Sequence, residues 1–224
     1  MAFSDTQIQA LVSLAEDACA KTYADAQDDK NRDGNPWKKY QEKADLKLQM
    51  FTSELKDMKL LLHKGVVIFE DMAPEAVLSF MWGNLEQRMT WDRQHQSLEM
   101  FPVIGQSVGN RTFVLCSRSK QVGPISPRDF CILITERRNE NGSITQGGVS
   151  LLPEQPGHKN PKPKFVRGHC YPTGSVFERC GPNGKDCRVS HTTQVDLKGW
   201  FTTRVSSLAF THTHHRQKHG HSSN

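Results

Sequence analysis

The sequence predicts an α+β fold: one N-terminal helix, three strands, two short helices, then a meander of six more strands. Three observations predict it. The N-terminal residues carry an apolar stripe of helical period, and the rest of the chain is a series of short apolar runs parted by hairpin-type turn residues. Self-similarity at a period of roughly 20 to 50 residues is absent, which removes solenoids and propellers.

From Asp5 to Asp28, the residues Ile8, Leu11, Leu14, Ala15, Ala18 and Tyr23 recur at three- and four-residue steps and form one helix face. The turn formers of DDKNRDGNP end that helix. Trp37 to Tyr40, Leu46 to Phe51 and Met58 to Phe69 read as successive strands. Pro74 opens a second helical stretch, which Gly83 divides into two short helices. Six strands follow: Ser97 to Gly105, Arg111 to Arg118, Asp129 to Arg138, Ser143 to Leu152, Phe165 to Arg179 and Cys187 to Leu197. Gly109-Asn110, Asn139 to Gly142 and Gly181 to Gly184 supply hairpin turns, so antiparallel pairing is expected. Asp129 to Arg138 is apolar on both faces and therefore reads as central. Ser119 to Pro127 and PEQPGHKNPKPK, starting at Pro153, are longer than hairpins need and read as exposed functional loops.

Composition narrows the function classes. The 224 residues are 36% hydrophobic and 24% charged, and lack a continuous apolar run of membrane-spanning length, so a globular chain is expected. Acids among the apolar residues of MAFSDTQIQALVSLAEDACA give no signal-peptide pattern, so a cytoplasmic location with reduced cysteines is expected. A net charge of +5 is modest for nucleic-acid binding, which is not expected, and suits transient contact with an anionic membrane surface. Lys159, Lys162 and Lys164, on the proline-rich loop, are placed to approach lipid headgroups.

The segments WDRQHQSLEMFPVIG, ISPRDFCILITERR, KPKFVRGHCYPTGSVF and TTQVDLKGW, in this order and spacing, resemble the START lipid-transfer domain family over roughly residues 5 to 200. Trp91-Asp92, the Pro127-Arg128-Asp129-Phe130 step and Asp196-Leu197-Lys198-Gly199-Trp200 carry the resemblance jointly. It implies a helix-grip fold, in which a curved antiparallel sheet of about nine strands grips a C-terminal helix around a lipid-sized tunnel. It also implies a non-enzyme that binds one hydrophobic lipid, of sterol or phospholipid class, and transfers it between membranes. The expected domain spans residues 1–200. After Trp200 only Phe201, Val205, Leu208 and Ala209 keep helical spacing, so the closing helix is expected to be truncated, and the histidine-rich segment from Thr211 to be a disordered tail. Two alternatives are a regulatory module of the kind found beside acyl-CoA thioesterase domains and a shortened product unable to retain lipid.

The residues expected to line the tunnel are Trp91, Met100, Phe113, Leu115, Ser117, Phe130, Ile132, Ile134, His191 and Thr193. Cholesterol-binding members place a buried carboxylate and arginine where this chain has Ser117 and Ile134, so that ion pair is expected to be absent and a hydroxyl contact to Ser117, His191 or Thr193 remains open. A phosphate would want Arg118 or Arg167 pointing inward, which strand parity alone does not settle. His191 on an apolar face reads more readily as a satisfied core histidine than as a ligand contact. Arg128, Asp129 and Trp91-Asp92 read as structural. Neither a GxSxG nor an HExxH motif is present, nor a repeated CxxC, so catalytic residues, metal and cofactor are not expected. Cys180 and Cys187 flank a turn at which a disulfide is conceivable, although free thiols are favoured in the cytosol. A monomer is expected.

Overall fold

The computed structural model describes residues 3–198. Its first element, α1 (Asp5–Ala26), begins where Ser4 and Gln7 form a capping box: the Ser4 hydroxyl accepts from the Gln7 N–H at 3.3 Å and Gln7 Oε1 accepts from the Ser4 N–H at 3.0 Å. The strands β1 (Lys38–Lys43), β2 (Leu48–Ser53) and β3 (Leu62–Phe69) follow, then α2 (Pro74–Trp82) and α3 (Leu85–Trp91). The helices part at Gly83 because Asn84 supplies a new N-cap, its Oδ1 accepting from the Gln87 N–H at 3.0 Å.

The meander continues with β4 (His95–Ser107), β5 (Asn110–Ser119), β6 (Arg128–Arg138) and β7 (Ile144–Ser150). It ends with β8 (Val166–Arg167), β9 (His169–Cys170), β10 (Thr173–Cys180), β11 (Asp186–Thr193) and β12 (Val195–Asp196). Nine strands form one curved antiparallel sheet in the order β1-β2-β3-β11-β10-β7-β6-β5-β4. Strand β6 is internal, as its two apolar faces foretold.

Two expected strands are subdivided. The stretch from Phe165 to Arg179 contains three pieces: β8 pairs parallel with β6, β9 pairs with β12, and only β10 enters the meander. Gly168 and Pro172 lie at the two breaks, and proline has no N–H for a ladder. The stretch from Cys187 to Leu197 breaks at Gln194, whose side-chain amide donates to the Leu60 carbonyl at 2.7 Å.

Each sheet face has its own helical layer. Leu11 and Ala15 of α1 pack with Val114, Cys116, Cys131 and Leu133. A Cβ at Gly147 would lie 2.4 Å from the Cys19 Cα, so only glycine lets α1 approach β7 this closely. On the opposite, inner face, Val77 and Leu78 of α2 pack with Ile144, Phe177, Cys187 and Val189. Trp82 and Leu85 pack there with Phe113, Leu115 and Ile134. The expected short helix at 201–209 and tail from 211 lie outside the described residues, as does the expected domain boundary at residue 200.

Candidate lipid-binding site

Strand register fixes which side chains share the inner face. Met100, Leu115, Ile132 and Ser150 are successive cross-strand partners, as are Phe113, Ile134, Gly148 and Thr173. Ser117 pairs with Leu98 on one side and Phe130 on the other. A third row runs Arg111, Glu136, Gln146, Ser175, His191, Gly65 and Met50. Nine of the ten expected lining residues therefore belong to one sheet face, Thr193 falling there by alternation from His191. Trp91 comes from the end of α3 and stacks on Phe80, with ring centroids 5.3 Å apart and planes at 9°.

This face is unevenly polar. Phe113, Leu115 and Ile134 form its apolar part, with Ile132, Leu98, Met100, Leu85 and Trp82 packed against them. His191 and Thr193 lie across β7 and β10 from that cluster. His191 Nδ1 is 2.8 Å from the Ser175 hydroxyl. On Phe130 a close neighbour replaces open space: a Cβ at Gly168 would lie 2.2 Å from its ring.

The inner face also carries a buried ion pair. Arg111 Nε and Nη2 donate to the two Glu136 carboxylate oxygens at 3.0 and 2.9 Å. The Gly109 N–H and Gln146 amide complete the carboxylate's partners at 2.7 and 3.1 Å. A third Arg111 bond, 2.9 Å to the Trp82 carbonyl, ties the end of α2 to the sheet. Ser117 and Ile134 form no ion pair, so this one occupies a different pair of positions on the same strands.

At the Ser117 end lies a polar chain. The Ser117 hydroxyl is 3.0 Å from His95 Nδ1, and His95 Nε2 is 3.2 Å from Asp92 Oδ2. Arg88 Nη2 donates to the same Asp92 oxygen at 3.0 Å, while its guanidinium lies 3.9 Å from the Trp82 ring centroid. Burial pushes the Asp92 carboxyl up, but hydrogen bonds and charge from His95 and Arg88 outweigh it and hold the group below its ordinary range. Trp91-Asp92 thus performs the packing and capping expected of it, and Asp92 additionally orients His95.

Arg118 and Arg167 belong to the other face. Arg118 Nε lies 3.3 Å from Asp129 and its Nη1 2.5 Å from Glu99, while Arg167 pairs with Asp129 as well. Arg128 donates to the carbonyls of Leu197 at 2.6 Å, Lys198 at 3.1 Å and Ser126 at 2.6 Å, the structural role expected of this step. Cys180 faces Asp186 and Cys187 faces Arg179 across β10 and β11, and all six cysteines are free thiols. Among the described residues, three or more His, Cys, Asp or Glu nowhere gather to hold a metal ion, and none of the helices is long and apolar enough to cross a membrane.

Sequence reasoning missed Arg111, Glu136, His95 and Arg88. The parity of β5 and β6 held the signal for the first two, since Arg111 and Glu136 lie two residues beyond the inward Phe113 and Ile134. His95 carries no comparable signal, because its partners come from a helix end and the neighbouring strand.

A curved antiparallel sheet with one helix behind it, two short helices before it and a buried, mainly apolar inner face is the architecture of a lipid-binding module. The START domain model matches residues 15–214, and the chain belongs to the START domain family. It is 29% identical to mouse StAR-related lipid transfer protein 5 over 189 residues, covering 80% of this chain and 81% of that one. It is also 29% identical to human StAR-related lipid transfer protein 6 over 142 residues, covering 61% of each, so it spans less than two thirds of that protein's length. The solved structure of human StAR-related lipid transfer protein 5 superposes with a TM-score of 0.74 at 22% identity, covering 92% of this chain and 91% of that one.

Proposed function

We propose that this chain binds a single hydrophobic lipid between the sheet and the short helices and carries it between membranes. The apolar cluster of Phe113, Leu115, Ile132 and Ile134, enclosed by Trp82, Leu85, Leu98 and Met100, is the observation that supports this reading. A lipid leaving a bilayer exposes apolar area worth about 25 cal/mol per Å², and such a surface replaces the lost surroundings. Family membership and the transfer function named for the similar proteins point the same way.

The site comprises Trp91, Met100, Phe113, Leu115, Ser117, Phe130, Ile132, Ile134, His191 and Thr193, with 1–200 as the lipid-binding domain. The chain works as a non-enzymatic cytoplasmic monomer that touches membranes transiently. Native mass spectrometry after incubation with vesicles tests the reading. One lipid per chain is expected, with its loss in Ile132→Asp, where a carboxylate enters an apolar wall. Equal lipid loading of Ile132→Asp and the unaltered chain would sink it.

A further inference from the structure

The chain Arg88–Asp92–His95–Ser117 gives the inner face a hydrogen-bond polarity. Asp92 is held ionised, so its carboxylate can only accept, and His95 Nε2, 3.2 Å away, carries the proton that it accepts. In the neutral imidazole, Nδ1 is then the acceptor. With the imidazole in that neutral form, Ser117, 3.0 Å from Nδ1, donates its only hydroxyl proton to His95, leaving its oxygen lone pairs as acceptors. Ser117 is 4% exposed, on the same strand face as Leu115 and opposite Leu98. In the same cluster the indole N–H groups of Trp82 and Trp91 and the Arg88 Nε–H are buried without a hydrogen-bond partner. A fixed acceptor thus shares the cluster with unpaired donors, and one group that meets both is a hydroxyl.

The cations argue against a phosphate. On the inner face Arg111 is closed onto Glu136 and Arg88 onto Asp92, while Arg118 and Arg167 lie on the α1 side with Glu99 and Asp129. We infer that Ser117, oriented by His95 and Asp92, selects neutral lipids that carry a free hydroxyl over otherwise matched lipids that can only accept hydrogen bonds. This rests on the carrier reading and names the chemistry of its cargo. Ser117 is the contact, and His95 and Asp92 are positioning residues.

The test is competitive extraction from phosphatidylcholine vesicles that contain matched pairs: cholesterol with its 3-ketone, and dioleoylglycerol with its 3-acetate. The alcohol of at least one pair should be enriched roughly tenfold, the discrimination expected of a site built around one hydrogen bond. Ser117→Ala should bring that ratio toward one and Ser117→Thr should restore it. His95→Leu frees the serine proton to donate, so it should shift the preference toward the ketone or acetate, a change that a merely structural role would not produce. Equal extraction within both pairs, or of phosphatidylcholine alone, overturns this inference and leaves the carrier reading intact. Extraction of no lipid overturns both. Covalent labelling of Ser117 by a fluorophosphonate would overturn it differently, by showing a nucleophile activated by His95.

Discussion

Arg111 and Glu136 face one another across β5 and β6 as a bidentate pair with the carboxylate fully buried, 2.9 and 3.0 Å between donors and acceptors. The arginine also holds the last carbonyl of α2, so one pair joins two strands and a helix. Removing one member leaves an uncompensated buried charge, at a cost of about 3–5 kcal/mol, whereas replacing both removes the charge altogether. Urea unfolding of Arg111→Met, Glu136→Leu and the double variant should show a double-variant loss well below the sum of the single ones. A simple sum would mean that the pair is not coupled.

Gly147 tests the placement of α1. An alanine Cβ would meet the Cys19 backbone at 2.4 Å, so Gly147→Ala must push α1 off the sheet. The expected loss is about 1–3 kcal/mol by chemical denaturation. Wild-type stability in Gly147→Ala would contradict the packing.

Lys64 predicts a pH dependence. Its ammonium is buried over the Trp37 ring at 4.2 Å and donates to the Gln27 carbonyl at 2.6 Å. Burial pulls its pKa down from 10.5 to about 8. The unfolded chain then binds more protons than the folded one between those values, so stability should rise with pH from about 8 toward 10.5. Thermal unfolding of Lys64→Met across that window should lack this rise. An identical slope in both proteins would exclude Lys64 as its source.

The lysines of the proline-rich loop predict a kinetic effect. Each cation near an anionic surface contributes about 1 kcal/mol, so Lys164→Ala should slow transfer to phosphatidylserine-containing vesicles by roughly fivefold at low salt. The difference should fade as salt screens the surface. An unchanged rate at low salt would remove Lys164 from the encounter.

Much of the inner face was legible because alternation along a strand is a local property. Phe113, Leu115 and Ser117 had to share a face, as did Phe130, Ile132 and Ile134, once each strand was recognised. Alternation does not reveal which face carries the long helix, and so left open where Arg118 and Arg167 point. The structure places them on the α1 side through Glu99 and Asp129.

The sequence by itself determined the α+β class, the break at Gly83, the hairpin order and which residues of a strand share a face, all of which follow from caps, turns and period-two patterning within a few residues. Tertiary structure alone decided the parallel β8 pairing with β6, the Arg111–Glu136 pair and the reach of His95 to Ser117 across 22 residues. These depend on strand register and on how closely α2 and α3 approach the sheet, and burial makes each such contact matter by removing the water that would otherwise satisfy the same polar groups.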